Sequence, residues 1–134
     1  MKQLHMMIGA GLMVISMFIA AAAPDELTRQ RCVEAVEAAA AVDFYHAQCR
    51  GDVSARRMDN LNKLLVSSRR ITVLAVKDDY FPERNYRHVE KRLERDFMAL
   101  LRDNGGCAGA KAAGLLEQFT TRYESALAAI RALP

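Results

Sequence analysis

Ile71-Thr72-Val73-Leu74-Ala75-Val76 admits two readings, and the fold class follows from the choice between them. Its β-branched, apolar make-up reads as a strand. The chain offers no second strand-like run to pair with it, and a lone strand leaves its backbone donors and acceptors unsatisfied. The helical reading extends a pattern that has already begun. Met58, Leu61, Leu65, Ser68, Thr72 and Val76 recur at steps of three and four, the stripe of one helix opened by Asp52 or Ser54. The segment is therefore expected to be helical and the chain all-α.

Upstream, Asp25 is placed to cap a first helix that runs to about Cys49, with Gly51 as its C-terminal stop. Val33, Val36, Ala40, Phe44 and Ala47 draw its apolar stripe, and the Ala38–Ala41 tract is strong helix former. Downstream, Asp78-Asp79-Tyr80-Phe81-Pro82 is a break, and Pro82 suits the first turn of a third helix. That helix would bury Tyr86, Val89, Leu93, Phe97 and Leu100 and stop before Asn104-Gly105-Gly106. A fourth begins near Cys107. Its seam, Ala112, Leu116, Phe119, Tyr123, Ala126, Ile130 and Leu133, alternates steps of four and three. Four amphipathic helices joined by short breaks predict an antiparallel up-down four-helix bundle.

The 134 residues are one domain's worth, with 51% hydrophobic and 26% charged side chains, which excludes a disordered or collagen-like chain. Lys2, the uncharged run from Met6 to Ala20 and the small residues Ala20 to Ala23 read as a secretory signal peptide. Cleavage after Ala22 puts Ala at both the −3 and −1 positions. A membrane anchor needs about 20 apolar residues, more than this run supplies. Residues 1–22 are thus expected to leave, and 23–134 to form a single helical domain in the periplasm or outside the cell, with no membrane span. Removing Lys2 from the 19 basic side chains leaves 18 against 16 acidic ones, a net +2. That balance argues against a nucleic-acid partner.

Export lets disulfides form and persist. In an up-down bundle, Cys49 ends the first helix and Cys107 begins the last, so both lie at one end. Cys32 sits 17 residues before Cys49, about 25 Å along the same helix, far beyond the ~7 Å that a disulfide spans between Cα atoms. Cys49–Cys107 is the geometric choice. Cys32 then remains free, as a small buried hydrophobe, a reactive thiol or an intermolecular link; its place on the flank of the stripe, beside Ala35 and Ala39, favours burial.

Catalytic patterns are missing. There is no Gly-x-Ser-x-Gly elbow, and Gly105-Gly106-Cys107-Ala108-Gly109 lacks the Lys-Ser/Thr of a phosphate loop. Haem finds no Cys-x-x-Cys-His site, and His46 and His88 fall at opposite ends of the bundle. No cofactor is expected, and the chain is read as no enzyme. His46, Cys49 and Cys107 together would suit a soft metal ion, which makes a small metal-binding or thiol-redox protein the alternative reading. Arg84, Arg87, Lys91 and Arg95, with His88 and Arg102, lie along one side of the third helix, with Glu90 and Glu94 spaced to pair with Arg87 and Lys91. They form either a solvated face or a surface for an acidic partner or anionic lipid. Tyr80 and Phe81 either anchor a partner or close the end of the core.

A small-residue helix from Ala38 leads into Phe44-Tyr45-His46-Ala47-Gln48-Cys49-Arg50-Gly51-Asp52. A helix with an Arg pair follows, and then Leu93 to Asp103 running into Cys107. This order resembles the type II secretion pilotins of the PulS/OutS kind. The resemblance implies a small exported four-helix protein with Cys49 and Cys107 as its disulfide and Tyr45 as the aromatic before it. It also implies a chaperone-like role towards a secretion or envelope-assembly component. Typical members are lipoproteins, whereas no cysteine follows this signal closely enough for acylation; Cys32 is additional, and the Gly-Trp common after the second helix is absent. The function expected is that of a non-enzymatic exported protein that receives a partner's amphipathic helix in an apolar groove.

Overall fold

The computed structural model describes residues 24–134, so the expected signal segment lies outside the described residues. Those residues form six helices and no strand: α1 (Glu26–Arg50), α2 (Arg56–Arg69), α3 (Val73–Asp79), α4 (Tyr86–Asp103), α5 (Gly106–Ala112) and α6 (Leu115–Arg131). The all-α expectation holds. The four expected helices are six, because two of them are interrupted.

α1 is the axis of the fold. The Asp25 carboxylate accepts the Thr28 N–H at 2.7 Å and opens it. Gly51, with φ +67°, closes it, and the N–H groups of Gly51 and Asp52 both reach the His46 carbonyl. One stripe is expected on this helix, but burial spreads over more than half of its circumference. Cys32, Ala35, Val36, Ala38, Ala39, Ala40, Val42 and Tyr45 are all buried. The remaining side of α1 carries Glu34 and Glu37 and is only half-buried, while the alanines let several helices approach one backbone. α6 packs along α1 most extensively, with α2, α3 and α4 against its other sides.

The expected second helix ends at Arg69. Arg70 adopts a left-handed conformation (φ +55°), Ile71 and Thr72 are not helical, and α3 starts anew at Val73. Its opening donors are met by side chains: Thr72 accepts from Ala75 at 3.1 Å, and Asn62 of α2 accepts from Val73 at 2.9 Å. Ser68 and Thr72, assigned to the stripe, are exposed, whereas Leu61, Leu65 and Val76 are buried. α2 itself begins at Arg56, and its first turn is capped from outside. The Asp43 carboxylate on α1 accepts the Arg57 and Met58 N–H groups at 3.0 and 2.8 Å.

Pro82 stays in the turn rather than entering a helix. α4 opens four residues later, where Asn85 accepts from Arg87 and His88 and Asp78 accepts from Tyr86. The last expected helix is divided by Gly114, whose φ of +68° no regular helix contains. The short α5 lies before this break, with Ala112 exposed, and α6 carries the rest of the seam, with Phe119, Tyr123 and Ile130 buried. Cys49 and Cys107 join the end of α1 to the first turn of α5, their sulfurs 2.05 Å apart and their Cα atoms 5.4 Å apart.

Candidate functional site

Where α4 and α6 lie against α1, they leave an apolar recess between them. Its floor is Ala40, Ala41 and Phe44 of α1, its walls are Leu93, Phe97 and Leu100 of α4 and Phe119 of α6, and its volume is about 240 Å³. The two walls touch through aromatic rings. Phe97 stands 5.7 Å from Phe44 and 6.2 Å from Phe119, centroid to centroid. The alanines make the recess: larger side chains at 40 and 41 would fill it. Leu100, expected in the core, is 41% exposed at the edge, while its neighbour Leu101 is buried. Adjacent residues on a helix point about 100° apart, so only one of the two leucines can face the core.

The rim is charged but internally balanced. Arg122 of α6 reaches Glu37 of α1 at 3.2 Å. Arg92 of α4 pairs with Glu83, approaches Asp96 at 3.5 Å and lies 5.8 Å above the Phe81 ring. The Arg92 guanidinium, by donating to Glu83, holds that carboxyl below its usual range. A second recess, about 310 Å³, lies on the other flank of α4 between Ala55, Met58 and Lys77, and it shares Phe44 and Leu93 with the first. α4 thus sits on α1 like a rail with a hollow on either side.

The residues singled out from sequence scatter. Phe81 is 1% exposed and belongs to the core, so it presents no surface anchor. Tyr80 is half-buried, with the Arg29 guanidinium 5.4 Å over its ring, and burial raises its hydroxyl pKa. Arg84, Arg87, Lys91 and Arg95 are exposed. The pairing expected of the glutamates is different: Glu90 turns to the buried Lys77, 3.0 Å away, rather than to Arg87. Arg87 instead donates to the Tyr86 hydroxyl at 3.0 Å.

Of His46, Cys49 and Cys107, the structure brings together the two cysteines, whose sulfurs are bonded to each other and offer no thiolate to a metal. Among the described residues, no group of three or more His, Cys, Asp or Glu is placed to hold a metal ion. Tyr45 is buried and borders the same hollow as the disulfide. Cys32 is fully buried, and burial pushes its thiol pKa up. No described helix is long and apolar enough to cross a membrane.

Ala40, Phe44, Leu93, Phe97, Leu100 and Phe119 of the recess read from sequence as core positions, whereas Ala41 reads only as helix former. The signals that mark them are two alanines side by side on α1 and two leucines side by side on α4. No protein-family model, curated protein or solved structure matches the chain.

Proposed function

We propose that the chain is a non-enzymatic, exported helical protein that binds one amphipathic helix of a partner protein, in the manner of a pilotin or envelope chaperone. The observation that carries this reading is the recess between α4 and α6, where Phe44, Leu93, Leu100 and Phe119 line apolar space left open over α1. An amphipathic helix docks by pressing residues at i, i+3, i+4 and i+7 into such a groove. The rim ion pairs Arg122–Glu37 and Arg92–Asp96 leave its floor uncharged, as an apolar helix face requires. On this reading α1, α2 with α3, α4, and α5 with α6 are the four members of the expected bundle, each interrupted member counting once.

Photocrosslinking tests the reading. A photoreactive residue at position 100, introduced in the producing organism, should give one discrete adduct. The cross-linked peptide should map to an amphipathic helical segment of an envelope or secretion component. Adducts only with a second copy of the chain, or spread over unrelated proteins, would contradict it.

A further inference from the structure

The outer face of α4 is a row of long basic side chains. Val89 and Phe97 point inward and are buried. At 100° per residue, Arg87, Lys91, Arg95 and Arg102 fall together within about 80° on the opposite side, with Met98 among them. All five are exposed, Met98 by 40%. The row is about 22 Å long at 1.5 Å per residue.

Little offsets its charge. Arg95 and Arg102 each approach the next residue's carboxylate, Asp96 at 3.9 Å and Asp103 at 3.7 Å, in contacts more than half exposed. Exposed pairs of that kind are weak and screened. Among the described residues, Arg87 and Lys91 make no ion pair within 4.0 Å, because Glu90 is taken by Lys77. Glu94 is the single acidic residue at the border of the row, and it leaves Lys91 unpaired.

We propose that this face of α4 lies on the headgroups of an anionic phospholipid bilayer. The row is convex and forms no part of the recesses beside α4. It therefore lacks the enclosed pocket in which a protein partner seats its anchor residues. A bilayer surface needs no pocket. It presents negative charge over a plane, and a straight row of long cationic side chains meets a plane along its whole length. Met98 lies within the row, where its thioether meets the headgroup layer. The face is turned away from the recess over α1, so lipid contact leaves that recess open, and the inference stands independently of the partner-helix reading.

The test uses the protein in the form in which its host accumulates it. Sedimentation with vesicles of phosphatidylcholine alone is compared with vesicles that also contain phosphatidylglycerol. Partition should strongly favour the anionic vesicles and fall as salt rises. Each Arg or Lys changed to Gln should weaken partition about fivefold. Changing Arg87, Lys91, Arg95 and Arg102 together should weaken it by roughly several hundredfold, with the helical circular dichroism unaltered. Glu94→Gln should strengthen it, which keeps a gain as well as a loss in view. Equal partition onto both kinds of vesicle, or an undiminished signal in the quadruple variant, overturns the proposal. Binding to polyglutamate but to neither vesicle also overturns it, and would assign the row to an acidic polypeptide.

Discussion

Asn62 and Val73, eleven residues apart, are joined by a 2.9 Å hydrogen bond in which the side-chain carbonyl on α2 accepts the N–H that opens α3. The bond bridges the break at residues 70–72 and satisfies a donor that the interrupted helix would otherwise strand. Asn62→Ala should therefore cost about 1 kcal/mol, as loss of a helix cap does. Urea unfolding of the two proteins measures the difference. Equal midpoints and slopes would show that the break needs no such support.

That break also explains what the sequence conveyed and what it withheld. The lack of a partner strand made Ile71–Val76 read as helix rather than strand; α3 is helical from Val73, whereas Ile71 and Thr72 are not. Periodicity did not locate the interruption: Thr72 at the N-cap is its local mark, while the left-handed Arg70 and the cap from eleven residues upstream leave none. Of the expected α1 stripe Val36 and Ala40 are buried and Val33, Phe44 and Ala47 only half-buried, and burial of its flank depends on how close Ala35, Ala38 and Ala39 let neighbours come. Small side chains carry no mark of which helices will approach them. The regular seam from Ala112 to Leu133 runs across Gly114 and conceals the break there. The Cys49–Cys107 pairing was legible because axial distance along α1 excluded Cys32.

The glycines around α5 should respond differently to substitution. A Cβ at Gly109 would overlap the Asn104 carbonyl, backbone that cannot move aside cheaply. Gly109→Ala should cost about 1–3 kcal/mol, as overpacking does. Gly114 has room around it but a φ of +68°, so Gly114→Ala should cost about 1–2 kcal/mol, the penalty of a left-handed L-residue. Thermal unfolding of both variants checks this, and a stabilising effect at Gly109 would contradict the packing described.

The disulfide closes a span of 58 residues. Opening it should lower stability by about 4 kcal/mol in the chain-entropy account. Cys49→Ser and Cys107→Ser should show similar losses, and the double variant little more than either, since each change alone opens the same loop. Losses that simply add would show that the two sulfurs act separately.

Cys32 should resist labelling. It is fully exposed only on unfolding, and burial raises its pKa, which keeps the thiol protonated and slow to react. A thiol reagent should modify it in denaturant and spare it in buffer, and a non-reducing gel should show a monomer. Rapid native labelling, or a dimer band removed by Cys32→Ser, would place that thiol at the surface.

Acid should weaken the turn before α4. Arg92 holds the Glu83 carboxyl below its usual range. A lowered carboxyl contributes stability above the unfolded pKa of about 4.3 and loses it as pH falls through the folded value. Between about pH 5 and pH 2 the native chain should therefore lose more stability than Glu83→Gln, which has no such proton to take up. Parallel pH profiles for the two would exclude the pair as a contributor.

The partner-helix reading rests on the apolar recess, and Leu100 tests it with least disturbance to the core. Leu100 and Leu74 are both substantially exposed leucines, at 41% and 50%, but only Leu100 borders the recess. The measurement is recovery of the partner that crosslinks at position 100, compared between Leu100→Glu and Leu74→Glu. Burying a charge against the recess without a counter-ion should cost several kcal/mol of binding. Recovery should therefore collapse for Leu100→Glu and persist for Leu74→Glu, with both unfolding near the temperature of the parent. Full recovery with Leu100→Glu, or equal loss with both, would contradict the account.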